Sequence, residues 1–263
     1  MWPVPLQNIV AFIVFMFKSG LAHSTVSCYI SGLSFHTRIN EFDDNTQKFV
    51  VRKLIDGNKR SKSPQKDSRL PITMELLVKI LSVLPIVCSS HYESEIFTAA
   101  YALAYYGLFR VGELTVDSMG TQTGKSHTVQ VGDAKIVGDT LEIYLATSKT
   151  DQSGKGVSIH ISAQANKTLH PVFNSKKFLS SHPLFGGPLF CHFDGNPLTR
   201  YQFAAILKKS LSLLGIDHSH MTSHSFRIGM ATTCAIAGIP NEQIKTLGRW
   251  KSGGYLRYIR IPF

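Results

Sequence analysis

The chain has 263 residues, 43% of them apolar, which is enough for one large domain or two smaller ones and too apolar for a disordered segment. Its 28 Lys and Arg against 17 Asp and Glu leave a net charge of +11, which suits a polyanionic partner because such contacts to phosphates release condensed counterions. The four cysteines, Cys28, Cys88, Cys191 and Cys234, are irregularly spaced with no CxxC pair, which argues against a disulfide framework or zinc knuckle and for reduced intracellular thiols.

The first predicted element is a strongly apolar helix over 5–18. Its run IVAFIVFMF is too short to cross a bilayer and lacks the flanks of a signal peptide, so no membrane association is expected. A second helix is expected over 22–39, with Ser24 as N-cap and Val26, Tyr29, Ile30 and Leu33 at helical spacing. A third is expected over 45–57, capped by Asn45 or Thr46, stopped by Gly57 and carrying Lys48, Arg52 and Lys53. The stretch NKRSKSPQKDSR then loses its apolar character. It brings Lys59, Arg60 and Lys62, and reads either as a solvated charge run or as a linker following a phosphate backbone. The expected organisation is a helical domain over 1–60, a basic linker over 61–70 and a second domain over 71–263.

In that second domain helices are expected over 71–84 and 93–106. Between 128 and 161 the period changes to two: TLEIYLAT and VSIHIS alternate apolar and polar, joined by the polar tip SKTDQSGKG. Helical patterns return over about 164–180, 199–214, 223–237 and 240–247, with Pro240 in the first turn of the last and Gly248 at its C′ position. The fold class is therefore mainly α, of α+β type, with one small antiparallel sheet.

Four fragments carry candidate chemistry. In GLFRVGELT, Arg110 and Glu113 stand three apart, either as a surface ion pair or as an arginine held by a carboxylate to grip a phosphate. In TSHSFRIGMATTCAIAG, Thr222 or Ser223 can cap a helix whose buried stripe is Phe226, Met230 and Ala237. His224 and Arg227 then share a side at its N-terminus, where an anion is favoured. The hairpin tip carries Lys149 and Lys155; loop lysines are usually solvated, yet one can protonate a leaving oxygen. The last fragment, LGRWKSGGYLRYIR, holds Trp250, Tyr255 and Tyr258 among Arg249, Lys251, Arg257 and Arg260. His218, His220 and His224 could suggest a metal site, but no Cys or carboxylate cluster completes the set, so no metal is expected.

The order Arg110, Lys149, His224, Arg227, Trp250, Tyr258 resembles the tyrosine recombinase (phage integrase) family. FRVGEL resembles its first-arginine box with Glu113 at the acidic position, HSFR its His-x-x-Arg box, and LGRW with YIR its terminal box. The terminal wording is similar to recombinases of crypton-type eukaryotic transposons, which would imply a nuclear location. The resemblance implies a core-binding domain ahead of the catalytic domain and cleavage of double-stranded DNA through a 3′-phosphotyrosine. Exchange between two sites in a tetramer follows from it, with no cofactor. In that scheme Arg110 and Arg227 neutralise the phosphate, with Glu113 at the acidic position. His224 organises the phenol proton, Lys149 protonates the 5′ oxygen, Trp250 offers its indole N–H and Tyr258 attacks. Tyr258 stands eight residues after Trp250, one fewer than the family's usual nine, and Tyr255 would pack inward. Two alternatives are a type IB topoisomerase and a domesticated binding module that no longer cuts.

Overall fold

The structure is a computed structural model describing residues 2–61, 67–117, 127–148, 151, 154–164, 169–183 and 186–261. The chain forms two compact units, Met1–Asp67 and Ser68–Phe263.

The first unit holds helices α1 (Leu6–Lys18), α2 (His23–Ile39) and α3 (Phe49–Ser61) around Ile9, Ile13, Met16, Val26, Ile30 and Val51. Ser24 is not the cap of α2: the helix starts a residue earlier, at His23, after Ala22, with no side-chain cap hydrogen bond. Residues 45–47 form a separate 3-10 turn, because the Asp44 carboxylate accepts from the Thr46 N–H at 3.0 Å and from the Ser34 hydroxyl at 2.5 Å. That delays α3 to Phe49. Gly57 does not stop it. A mid-helix glycine costs only about 1 kcal/mol, and the buried Val51 and Asn58 hold the helix on both sides of it.

In the second unit, Thr73 caps α4 (Met74–Val87), its hydroxyl accepting from the Leu76 N–H at 3.2 Å. Ser90 likewise caps α5 (His91–Tyr106), accepting from the Glu93 N–H at 3.0 Å. α5 is buried almost all round from Ser94 to Tyr105 and is the central rod of the unit. It packs on α4, on α7 (Pro171–Ser181) and on α9 (His224–Ile236), while α8 (Arg200–Leu213) lies on α4. The short α6 (Val111–Leu114) follows α5, and α10 (Asn241–Leu247) precedes a 3-10 turn over Gly253–Tyr258. α7 begins later than expected, at Pro171, where the His170 ring accepts from the Phe173 N–H at 3.0 Å.

Three antiparallel strands lie in the order β1 (Ala134–Val137), β2 (Thr140–Leu145), β3 (Val157–Ser162). Leu141 faces Ile136 and Ile161 across its two neighbours, and Leu141, Ile143 and Leu145 give β2 its buried face. β1 was not expected as a separate strand; its four residues are too short for a clear alternation. It is joined to β2 by a two-residue hairpin in which Gly138 takes φ +57° beside Asp139.

α9 closes the core. The Ile72 N–H donates to the Ser225 carbonyl at 3.0 Å, and a Cβ on Gly229 would fall 1.8 Å from the Ile72 carbonyl oxygen. Of the stripe expected on α9, Phe226 is buried, whereas Ala237, just past the last turn, is exposed.

Candidate active site

Two helices end alike and face each other. After α5 comes Gly107 and then Leu108 at φ +49°; after α10 comes Gly248 and then Arg249 at φ +57°. The Arg249 N–H donates to the Thr246 carbonyl and the Trp250 N–H to the Lys245 carbonyl, both at 3.0 Å, the paired bonds of a Schellman ending. The sequence expectation for this end needs correcting: Gly248 has φ −85°, and the left-handed residue is Arg249. Gly248 is needed for a close approach, since a Cβ there would lie 1.6 Å from Cζ3 of the Trp250 ring. Gly107 is similarly covered by the Phe109 ring, 2.4 Å from such a Cβ.

Arginines join these ends. Arg110 begins α6, its backbone N–H donating to Glu113 Oε2 at 2.9 Å and its Nη1 to Oε1 at 2.8 Å. The Glu113 side chain is only 2% exposed, so this is a buried pair rather than a surface one. Arg249 Nη2 donates to the same Oε2 at 2.9 Å, and its guanidinium also donates to the carbonyls of Gly107 at 2.9 Å and Leu108 at 3.1 Å. Arg227, 1% exposed, donates through Nη1 to Leu108 and through Nη2 to the Gly248 carbonyl at 3.0 Å. It thus places one cation between two helix C-termini, the ends that carry partial negative charge.

Arg110 and Arg249 both bond the Glu113 carboxylate, and Arg227, bonded to carbonyls, feels that carboxylate only through space. Burial, followed by repulsion from Arg110 and Arg249, pushes the Arg227 guanidinium down to about 9. Burial also lowers Arg249, against the pull of Glu113. The Arg110 side chain, 20% exposed, is the outlet of this positive pocket to solvent.

The aromatic side completes it. The Arg227 guanidinium lies 4.6 Å from the Trp250 ring centre and 5.4 Å from that of Tyr258, whose rings are 5.1 Å apart. The His224 ring, on the first residue of α9, is 6.2 Å from the Tyr258 ring, and its backbone N–H donates to the Thr222 hydroxyl at 3.2 Å. Tyr258 ends the 3-10 turn, and its carbonyl accepts from the Thr232 hydroxyl at 3.3 Å. Tyr255 is buried in a small core with Ala231, Cys234 and Ile244, against which Tyr258 is partly buried.

Arg110, Glu113, His224, Arg227, Trp250 and Tyr258 are therefore gathered in one place. Lys149 lies outside the described residues, as does Lys62. Lys48, Arg52, Lys53, Lys59 and Arg60 belong to the other unit, exposed at and along α3, where Arg52 donates to Gln47 at 2.9 Å. Sequence reasoning passed over Arg249 as a site residue. The available signal was its interval of nine residues to Tyr258, against eight from Trp250. Among the described residues, no group of three or more His, Cys, Asp or Glu is set to hold a metal ion. With more cationic than anionic side chains and an open face at Arg110, the pocket suits an oxyanion beside a phenol and an imidazole.

Comparison with known proteins gives the same direction. The chain matches the phage integrase family over residues 79–259. An integrase/recombinase XerD homologue from Selenomonas ruminantium is 28% identical over 214 residues, covering 77% of this chain and 57% of that relative's length. The chain thus spans little more than half of that curated relative. Similar solved structures include the XerH site-specific recombinase bound to palindromic difH substrate in a post-cleavage complex, with TM-score 0.64 and 15% identity over 98% of this chain and 67% of that one. The Tn1549 transposon integrase in complex with circular intermediate DNA has TM-score 0.58 and 14% identity over 99% of this chain and 82% of its own. A lambda integrase dimer bound to a COC′ core site has TM-score 0.58 and 19% identity, covering 97% and 80% of the two chains. At these identities the structures speak for the fold: a mainly helical unit with a small antiparallel sheet.

Proposed function

We propose that this chain, which belongs to the phage integrase family, cleaves and rejoins duplex DNA through a covalent 3′-phosphotyrosine and so carries out site-specific recombination. The observation that carries the reading is the guanidinium-rich pocket of Arg110 and Arg227, short of negative charge and packed against Tyr258. A phosphodiester supplies the missing anion. As the phenolic oxygen attacks phosphorus, negative charge grows on the non-bridging oxygens, where the arginines stabilise it. The tyrosine–phosphorus bond forms and the bond to the 5′ oxygen breaks. A phenol has a pKa of about 10, so its proton must leave during attack, and His224 is the nearby group to organise that transfer. Lys149 is the proposed donor to the departing 5′ oxygen. The ester energy is kept on the protein, so rejoining requires no ATP or metal ion.

The first unit serves as the core-binding domain, with Lys48, Arg52, Lys53, Lys59 and Arg60 on phosphates. The working assembly is a tetramer on two duplexes. The segment LGRWKSGGYLRYIR supports a mobile element of crypton type as the origin.

The test is covalent capture from a pool of nicked duplexes with randomised centres, read as a protein–DNA band that survives denaturation. The unaltered chain and Tyr255→Phe are expected to give adducts and Tyr258→Phe none, with a chelator making no difference. Adducts from Tyr258→Phe would remove that residue as nucleophile, and no adduct from the unaltered chain would favour a binding module. Relaxation of a plasmid lacking any captured sequence would favour a topoisomerase.

A further inference from the structure

We propose that Arg249 is a positioning residue for strand cleavage, fastening the segment that bears Trp250 and Tyr258 to the Arg110–Glu113 pair. The role rests on the recombinase reading above and adds a residue to it.

Four observations carry it. First, Arg249 is committed to protein partners: its two terminal nitrogens reach Gly107, Leu108 and Glu113 at 2.9 to 3.1 Å, and its side chain is 9% exposed. Both ends of its fork are taken up by the protein, and only the buried Nε has no partner among the described residues, which is the arrangement of a brace. Second, those partners are the residues three and two positions before Arg110 and the carboxylate that holds Arg110, while the next residue after Arg249 is Trp250. One side chain thus fixes the distance between the first arginine and the tyrosine segment. Third, Arg249 stands at the left-handed position of a helix ending, where glycine is the relaxed choice. Arginine there costs about 1 kcal/mol of backbone strain, and retained strain of this kind collects at functional sites. Fourth, among the described residues the other left-handed non-glycines are Glu41 and Leu108, and the Leu108 carbonyl accepts from both Arg249 and Arg227. Two strained turns therefore hold each other across the pocket.

A brace of this type acts on the cleavage step and leaves DNA affinity alone. Misplacing a nucleophile by about 1 Å is enough to cost about 100-fold in rate. The experiment uses the full chain and a nicked duplex recovered by the covalent capture described above. Single-turnover adduct formation at saturating duplex is compared with equilibrium binding for Arg249→Gln, Arg249→Lys, Glu113→Gln and the double Arg249→Gln/Glu113→Gln.

Arg249→Gln is expected to bind as tightly as the unaltered chain and to cleave about 100-fold more slowly. Arg249→Lys keeps the charge without the planar fork, so its rate should fall between the two. The double variant should lose less than the product of the two single losses, because the Arg249–Glu113 contact is removed in both, while each also breaks contacts of its own. Cleavage by Arg249→Gln at the unaltered rate, or losses that multiply in the double variant, overturns the proposal. So does a loss of affinity that accounts for the whole defect. Should Arg249→Gln fail to fold, Arg249→Lys decides: an unaltered cleavage rate with an unaltered melting temperature sinks the brace. Failure of the unaltered chain to trap any duplex overturns the recombinase reading itself, a separate outcome.

Discussion

Arg227 lies between the carbonyl ends of two helices, under the rings of Trp250 and Tyr258, with two further guanidiniums acting on it. Carbonyl dipoles hold it there, but they do not cancel its charge. Burial and the neighbouring guanidiniums push its proton affinity in the folded chain from the ordinary arginine range down to about 9, which fixes the sign of its effect. Above about 9, and up to the ordinary arginine range, the unfolded chain binds the proton and the folded chain does not, so this group makes the fold more stable as pH rises through that window. Below about 9 the charge is present in both states and its burial costs stability, a cost that an anion in the pocket offsets. Sulfate, entering at the exposed side of Arg110, should therefore raise the melting temperature at neutral pH. Its affinity should be level up to about pH 8.5 and then fall, by up to about tenfold per pH unit, because binding must now take up a proton. Calorimetric titration with sulfate checks this, and Arg227→Gln should remove the step. A titration that stays level past pH 10 in the unaltered chain would show that Arg227 keeps its proton without help.

The helix endings concentrate the geometry of the pocket. Adding one methyl at Gly248 puts it within the Trp250 ring, so Gly248→Ala must displace the ring or the backbone that carries it. Tyr258 lies beyond Trp250 on the same segment, and its ring packs against it. Gly248→Ala is therefore expected to lose adduct formation by about 100-fold while the second unit still melts cooperatively. Normal adduct yield from Gly248→Ala would mean that the segment reaches the DNA by a different arrangement. This is also where the sequence was hardest to read. The alternation of β2 and β3 follows local rules and could be read directly, whereas the helix expected over 71–84 lies at Met74–Val87, with Thr73 as its cap. Gly248 was legible as a helix ending, but the left-handed residue is Arg249, while Gly248 leaves room for the Trp250 ring two residues on. The Arg110–Glu113 spacing could be read, yet the burial that decides between surface pair and pocket depends on Arg249, 136 residues further along the chain. The shift of α3 from Asn45 to Phe49 has the same origin, since Ser34 and Asp44 meet across ten residues.

At the scale of the molecule, each unit has its own apolar core, and the excess of cations has work assigned to it in both. In the second unit the guanidiniums gather inward around Glu113. In the first, Lys48 just ahead of α3 and Arg52 and Lys59 on it share one exposed side, about a quarter turn from the buried Val51 and Asn58, while Lys53 and Arg60 lie on the face opposite those two. Inward cations should set the rate of cleavage, and outward cations should set the strength and salt dependence of binding. Each phosphate contact made by an outward cation contributes about 0.9 to the slope of log K against log salt on duplex DNA. Replacing Lys48, Arg52 and Lys59 together by Gln should thus flatten the slope by about 3 and weaken binding to all sequences alike. Single-turnover cleavage at saturating duplex should be unchanged, because none of the three belongs to the pocket. Fluorescence anisotropy from 50 to 300 mM salt, about the range over which such slopes are clear, reads the first effect, and adduct formation reads the second. An unchanged slope would mean that α3 does not face the DNA, and the charge of the first unit would need another partner.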